Sequence, residues 1–516
     1  MARLHPQRPC ARLAVSALSA LIALSALLAS CIGVNDPVVS VTQGTLIRNV
    51  TVVDTRDGTL RSGQAVAIDA GRIQHIAPDR SLRSSGAAVE VDGAGKFLVP
   101  GYLDMHTHAL GAPDGQAATW ALLLANGVTG VREMSGSAAQ IQRARASNAE
   151  RAAGRLLAPE LLQLPSDIIG GAPSAAVAAQ MVRKHQADGA DFIKVVGGSR
   201  EVTLAVLAQA RESGLGVAGH LPLSITSADA AANGWRSIEH LGSGIGMLLE
   251  CADDEAAIRS ALLSGQGAKP VLEPAAIVSP MLFRALDAPF YQRALASQND
   301  ARCQAVAQAA ARSSTWQVPT LIRLRTMDHS DDAVYRADPN LAYVDPTRKA
   351  LWARLGQQFS SNVPPAAAAT FKQYYAAQLR FVGLLQKSGA RLLAGSDLGG
   401  IWVIPGFGLH QEFAELANAG LTPLQVLQAT TLNGAAFLGR QASMGTVEVG
   451  KVADLVLLDA NPLAGVANLG RIAGVVVNGR YLGAAEMARM KRDVASTYAG
   501  QPVKNLASAY DATHRH

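Results

Sequence analysis

Two histidines separated by one residue, His106 and His108, close the run Pro100-Gly101-Tyr102-Leu103-Asp104-Met105. The apolar first half of that run reads as a buried strand, and residues two apart on a strand project to the same side. Two imidazoles so placed can hold a metal ion, although a His-x-His pair alone is equally what two ordinary histidines at a strand end would look like. Four more residues sharpen the chemistry: Lys194, His220, His240 and Asp397, each at the C-terminal end of its own apolar or β-branched run. Barrel enzymes carry their catalytic groups at that end of their strands. If such a barrel closes, imidazole, carboxylate and amine groups far apart in sequence meet in one cavity.

The elements needed to bring them together can be read from the alternation of strand-like and helix-like stretches. Strands are expected near Leu98–Met105, Val128–Glu133, Glu160–Leu164, Phe192–Val196, Gly216–His220, Ser237–Leu241, Gln317–Ile322 and Arg391–Ser396. Helices are expected at Ala117–Ala125, Ser174–Gln186, Thr203–Glu212 and Phe371–Lys387, several closed by glycine. Eight such alternations describe an α/β protein of the (β/α)8 TIM-barrel class over residues 98–439. This region exceeds the roughly 250 residues typical of that fold, and the excess falls after the sixth strand (242–314) and after the seventh (323–370). Both are connections on the catalytic face, and both are expected to form largely helical walls or lids.

Residues 45–97 show short alternating runs separated by turns at Asp57-Gly58, Gly63 and Ala70-Gly71-Arg72. Residues 440–483 repeat that style around Gly450-Lys451 and Asn478-Gly479-Arg480. Neither flank has enough strands to bury a face alone, so the two are expected to form one small discontinuous β-sandwich domain. A helix over 485–494 and a polar tail complete the segment 484–516.

The chain of 516 residues is long enough for a large barrel and a companion domain. Half of it is hydrophobic, and its net charge of +6 falls by three if Arg3, Arg8 and Arg12 leave with a leader, so nucleic acid is not an expected partner. Residues 1–30 read as an export signal, with a basic start and an uncharged Leu/Ala-rich run from Leu13 to Ala29. Leu28-Ala29-Ser30-Cys31 is similar to a bacterial lipobox, which implies lipidation of Cys31, a linker over 31–44 and tethering outside the cytoplasm. Ile32 in place of aspartate then points to the periplasmic face of the outer membrane. An ordinary signal peptide and an uncleaved anchor helix are the alternatives. Export would leave Cys251 and Cys303 as a matched pair in an oxidising compartment, either bonded to each other or as two buried thiols.

Taken together, six segments resemble the amidohydrolase superfamily, particularly its imidazolonepropionase-like and Xaa-Pro/Xaa-Arg dipeptidase-like members. They are Val99-Pro100-Gly101-Tyr102-Leu103-Asp104-Met105-His106-Thr107-His108, Ala190-Asp191-Phe192-Ile193-Lys194, Ala218-Gly219-His220, Ser237-Ile238-Glu239-His240, Ala394-Gly395-Ser396-Asp397 and Gly450-Lys451-Val452-Ala453-Asp454-Leu455-Val456. The resemblance implies that His106, His108 and Asp397 bind one divalent metal, that His220 and His240 bind a second, and that Lys194, as a CO2-derived carbamate, bridges the two. A carbamate suits that place because an ammonium beside two cations would be repelled, whereas an anionic two-oxygen bridge fits ions about 3.5–4 Å apart. Zinc is favoured by imidazole and carboxylate ligands, with manganese, cobalt or iron fitting the same set.

The implied activity is hydrolysis of an amide bond, in a dipeptide, an N-acyl amino acid or a cyclic amide, by a metal-bridging hydroxide. Asp397 would move the proton from that hydroxide to the leaving nitrogen. A lactone or phosphoester hydrolase on the same site and a noncatalytic ligand-binding lipoprotein are the alternatives. An unmodified Lys194 paired with an acid would make the site mononuclear. Arg323 and Arg325 are candidates for holding a substrate carboxylate or, equally, solvent-facing arginines, and Trp402 is a candidate aromatic wall. Glu239 is expected on the opposite strand face from His240, as an outer packing or hydrogen-bonding residue. His410 is expected to be structural. The partner is thus a small-molecule amide, with the membrane engaged through the lipid anchor and homo-oligomerisation left open.

Overall fold

The computed structural model describes residues 38–111, 116–269, 271 and 273–503. The leader, Cys31 and the last residues of the tail lie outside these, as does the first half of the 31–44 linker. Among the described residues no helix is long and apolar enough to cross a membrane.

The chain begins as β1 (Val39–Val41), β2 (Thr45–Val53), β3 (Leu60–Asp69), β4 (Arg72–Pro78), β5 (Leu82–Ser84), β6 (Val89–Asp92) and β7 (Phe97–Pro100). It ends on β15 (Leu455–Leu458), β16 (Ile472–Val477) and β17 (Arg480–Gly483) before a helix over Ala484–Tyr498. One sheet takes strands from both flanks, in the order β17-β16-β15-β7-β2-β3-β4, with β6 also on β2. Its two halves join where β15 runs antiparallel to β7, Leu455 facing Pro100 and Leu458 facing Phe97. Alternation along β2 and β3 separates two apolar faces: Ile47, Val66 and Ile68 pack on one side, and Leu46, Ala65 and Ala67 on the other. β1 pairs with β5 as a separate two-stranded ribbon.

Between the flanks, β8 (Tyr102–Thr107), β9 (Val128–Glu133) and β10 (Glu160–Gln163) form one parallel arc. β11 (Phe192–Val195), β12 (Gly216–Gly219), β13 (Trp235–Glu239) and β14 (Trp316–Val318) form another. Parallel bridges Pro165–Phe192 and Ile169–Val195 join the arcs on one side. On the other side, bridges Gln317–Leu392 and Thr107–Leu398 seat the segment 391–398 between β14 and β8. That segment makes bridges instead of a continuous ladder.

Helices connect these strands with well-made starts: Ser174 and Ser199 accept from backbone N–H groups three residues on, and Thr226 forms a capping box with Asp229. The seventh strand stops earlier than its apolar run suggests. Thr320 turns into the left-handed region at φ 43°, and Leu321 and Ile322 open a helix, Leu321–Asp328. Pro365 opens a helix, Pro365–Lys387, because proline is well suited to a first helical position. The segment after β13 folds into Glu255–Leu263, Ala288–Ala296 and Asp300–Arg312 with short 3-10 turns, giving the expected helical wall. Cys251 and Cys303 are joined as a disulfide with Cα atoms 4.5 Å apart, tying that wall to its own base.

Candidate metal centre

β8 is buried along its whole length and delivers His106 at its end, with His108 just beyond. The segment 391–398 runs beside it: Met105 N donates to Ala394 O (3.0 Å), Asp397 N to His106 O (2.8 Å) and His108 N to Leu398 O (2.8 Å). Asp104 tightens the seam by accepting from the Ser396 backbone at 2.9 Å and from its hydroxyl at 2.5 Å. Asp397 itself has φ 52°, a costly conformation for a side-chain-bearing residue, and it is thereby turned toward the histidines.

The nitrogen and oxygen ligand atoms of His106, His108 and Asp397 lie within 4.8 Å of one another. Asp397 Oδ1 is 3.3 Å from His106 Nε2 and 3.4 Å from His108 Nε2, while Oδ2 is 3.8 Å from His240 Nε2. The His106 ring lies 4.5 Å from that of His240, and His240 lies 4.9 Å from His220, centroid to centroid. Lys194, 2 % exposed, sits in β11 beside Ala218 of β12, two residues before His220. All six sequence-derived positions therefore fall on the C-terminal ends of these strands or in the turns that follow them.

Three imidazoles are oriented from behind through Nδ1: His106 by Glu239 Oε2 (2.7 Å), His108 by Ser135 Oγ (2.8 Å) and His240 by Thr320 Oγ1 (2.5 Å). Their Nε2 atoms all turn toward Asp397, the arrangement in which an outer partner fixes the tautomer that presents a lone pair. His106 Nε2 is buried and has no hydrogen-bond partner. A buried nitrogen left without a partner is costly, and a cation among these Nε2 atoms and the Asp397 carboxylate would satisfy it. The donor set fits a divalent metal.

Electrostatics agrees. Burial, reinforced by neighbouring positive groups, pushes His220 and His240 well below the usual imidazole range, so both are neutral and able to coordinate. Burial would raise the Asp397 carboxyl, but His106 and His240 outweigh it and hold the group well below the carboxylate range. Burial lowers Lys194 to about 8 against the pull of Glu239 and Asp397, which makes an uncharged amine accessible near neutral pH.

Glu239 is a hydrogen-bonding residue, one of the two expected roles, but it faces inward. It is fully buried, accepts from Ser237 Oγ (2.6 Å) and Arg132 Nη2 (3.3 Å), and orients His106. The two-residue alternation fails between Glu239 and His240 because His240 lies past the strand with φ 55°. Arg132, held between the rings of Phe192 and Phe437 at 4.7 and 4.8 Å, is an outer support of the site that the sequence motifs do not mark. Its signal was an Arg-Glu pair, Arg132-Glu133, ending an otherwise apolar buried strand.

The substrate candidates are placed differently again. Arg323 is 5 % exposed and donates to Asp397 Oδ2 (3.1 Å), Val278 O (2.8 Å) and Ile277 O (2.6 Å), so all three nitrogens are engaged. It therefore braces Asp397, each of its nitrogens already donating to a protein oxygen. Arg325, two residues along the helix, lies 3.5 Å from Glu415 and over the Tyr335 ring. Trp402 is 2 % exposed, donates its indole N–H to Ser330 O and stacks on Tyr335, which makes it core and not wall. His410 is structural, donating from Nε2 to Asn126 O and packing edge-on to Tyr102 and Phe413.

Residues 378–482, which include Asp397, β15, β16 and most of β17, match the amidohydrolase family model. An imidazolonepropionase of Aromatoleum aromaticum is 48% identical over 56 residues, a stretch covering 11% of this chain and 13% of that relative's own length. Solved structures align far more widely. A bottromycin amidohydrolase superposes with TM-score 0.65 at 22% identity, covering 88% of this chain and 90% of its own. A Xaa-Pro dipeptidase with methionine bound in its active site superposes with TM-score 0.57 at 18% identity, covering 86% and 100%. At these identities the structural likeness establishes the α/β fold.

Proposed function

We propose that this protein is a metal-dependent hydrolase of amide bonds built on a (β/α)8 barrel closed by the segment 391–398, with a flanking β domain drawn from both sides of it. The carrying observation is the convergence of His106, His108 and His240 Nε2 on one ionised carboxylate, Asp397, with His106 Nε2 otherwise unsatisfied. The bridges at both seams support closure, and the family match over 378–482 supports the hydrolase class.

His106, His108 and Asp397 would hold one divalent ion, with zinc favoured, and His220 and His240 a second, Lys194 joining them as a carbamate. Ions so bound would supply a Lewis acid and lower the pKa of water. The chain's own groups do the rest. Arg323 fixes the Asp397 carboxylate by donating to Oδ2. Held there as an anion, Asp397 takes the proton of the attacking water and returns it to the leaving nitrogen. Glu239, Ser135 and Thr320 keep the imidazoles in the neutral tautomer that ligation requires.

The Cys251–Cys303 disulfide supports an oxidising compartment, in keeping with the export and Cys31 anchoring read from residues 1–31. The metal-loaded protein should cleave dipeptides or N-acyl amino acids in preference to lactones and phosphotriesters assayed in parallel. Asp397→Asn should keep the fold and abolish turnover. An active Asp397→Asn protein, or preference for the phosphotriester, would reject the amide-hydrolase mechanism.

A further inference from the structure

Beside His220 opens a cavity of about 500 Å³, within the range that encloses small organic ligands. Its lining includes the apolar Leu221, Leu223, Ile225 and Leu262, together with Arg284 and Tyr291 from the helical wall that follows β13. The Tyr291 ring is fixed by Phe371 and Tyr374 at 5.4 and 4.6 Å, yet its hydroxyl is buried with no hydrogen bond. Arg284 is the adjacent cation, although the two do not meet hydrogen-bond geometry. Its side chain is 43% exposed, and its nearest carboxylate oxygen, Asp287 Oδ2, stands at 3.6 Å. The other oxygen of Asp287, Oδ1, accepts from Ala268 N at 2.7 Å.

Gly244 brings its backbone close to both groups. Gly244 has φ +56°, where side chains are strained, and a Cβ there would come within 3.0 Å of Arg284 Nη1 and 3.6 Å of Tyr291 Oη. A cationic fork and a phenol without a hydrogen bond thus stand together in the lining of a cavity that also reaches His220, a candidate metal ligand. Arg323 and Arg325, the arginines that the sequence offers first, are engaged elsewhere.

We propose that Arg284 and Tyr291 form the receptor for a free substrate carboxylate, so that the substrates are aliphatic N-acyl amino acids or dipeptides with an unblocked C-terminus. The inference rests on the hydrolase reading for its reaction, and on the cavity alone for its binding. The scissile amide lies at the His220 end, the aliphatic side chain lies against Leu221, Leu223, Ile225 and Leu262, and the carboxylate accepts from Arg284 and from the Tyr291 hydroxyl.

Equilibrium binding separates the two layers. N-acetyl-L-leucine and N-acetyl-L-leucinamide, titrated calorimetrically into the protein, differ only in the carboxylate. Wild type should bind the acid at least about tenfold more tightly, as expected for charge-assisted recognition. Arg284→Met should bring the ratio to within about twofold of one, and Tyr291→Phe, which keeps the ring contacts, should reduce it partway. Equal binding of acid and amide by wild type, or a ratio unchanged in Arg284→Met, overturns the receptor. The acid preference without hydrolysis by the metal-loaded protein would leave the receptor standing and remove the hydrolase reading instead.

Discussion

Glu239 Oε2 lies 2.7 Å from His106 Nδ1, and the same carboxylate is held by Arg132 Nη2 at 3.3 Å and Ser237 Oγ at 2.6 Å. Burial alone would raise the Glu239 carboxyl, but Arg132 first and His106 next bring it down to about 2. An anion at that position keeps the proton on Nδ1 and the lone pair on Nε2. One acid thus links a buried arginine to a candidate metal ligand.

Replacing that acid with its amide tests the relay. Glu239→Gln preserves volume but lets the side-chain amide present either a donor or an acceptor to Nδ1, so the tautomer is no longer imposed. Metal affinity should fall about 10–100-fold, the usual effect of removing an outer partner of a ligating histidine. Competitive chelator titration measures it. Wild-type affinity in Glu239→Gln would reduce Glu239 to a space-filling residue.

Lys194 gives a second test. An amine lowered to about 8 reacts with CO2 far more readily than one at its ordinary value, because only the neutral form is nucleophilic. Lys194→Ala should reduce bound metal, read by elemental analysis. In wild type, metal loading in CO2-depleted buffer should be slower than in bicarbonate. Equal loading in both buffers, with full metal in Lys194→Ala, would exclude the carbamate bridge.

How much of this was legible follows from where each signal resides. The six candidate ligands were readable because residue type and strand-end position carry them: His106 and His108 follow an apolar run, and Asp397 follows Arg391–Ser396. What surrounds them was not. Alternation along the sequence misplaces Glu239 because it presumes that the strand continues, whereas His240 turns at φ 55°. Arg323 looks in sequence like any arginine after a strand; only folding brings it within 3.1 Å of Asp397 Oδ2 and lays Ile277 and Val278 carbonyls across its other nitrogens. Arg284 and Tyr291 lie in an insertion with no motif, and the cavity that gives them meaning is a property of packing.

The Cys251–Cys303 bond closes a loop with a sequence separation of 52. Chain-entropy reasoning assigns such a crosslink about 4 kcal/mol of stabilisation through the unfolded state. The Cys251→Ser/Cys303→Ser double variant should unfold at distinctly lower denaturant than the oxidised wild type and match the reduced wild type. Coincident unfolding curves for oxidised wild type and the double variant would show that the crosslink contributes nothing.

His410 sets part of the acid limit of stability. Burial lowers its imidazole to about 4, the hydrogen bond to Asn126 O opposing and Lys491 assisting. Unfolded, the group titrates near 6.5. Between those values the unfolded chain carries a proton that the folded chain refuses, so stability is full above pH 6.5 and falls as pH drops toward 4. The loss amounts to as much as about 3 kcal/mol, at 1.36 kcal/mol per pKa unit. His410→Asn retains a donor toward Asn126 O but does not titrate, so the difference in unfolding free energy between wild type and variant should shift by that amount between pH 7 and pH 4. A difference that stays constant across this range would mean that His410 is protonated alike in the folded and unfolded chains.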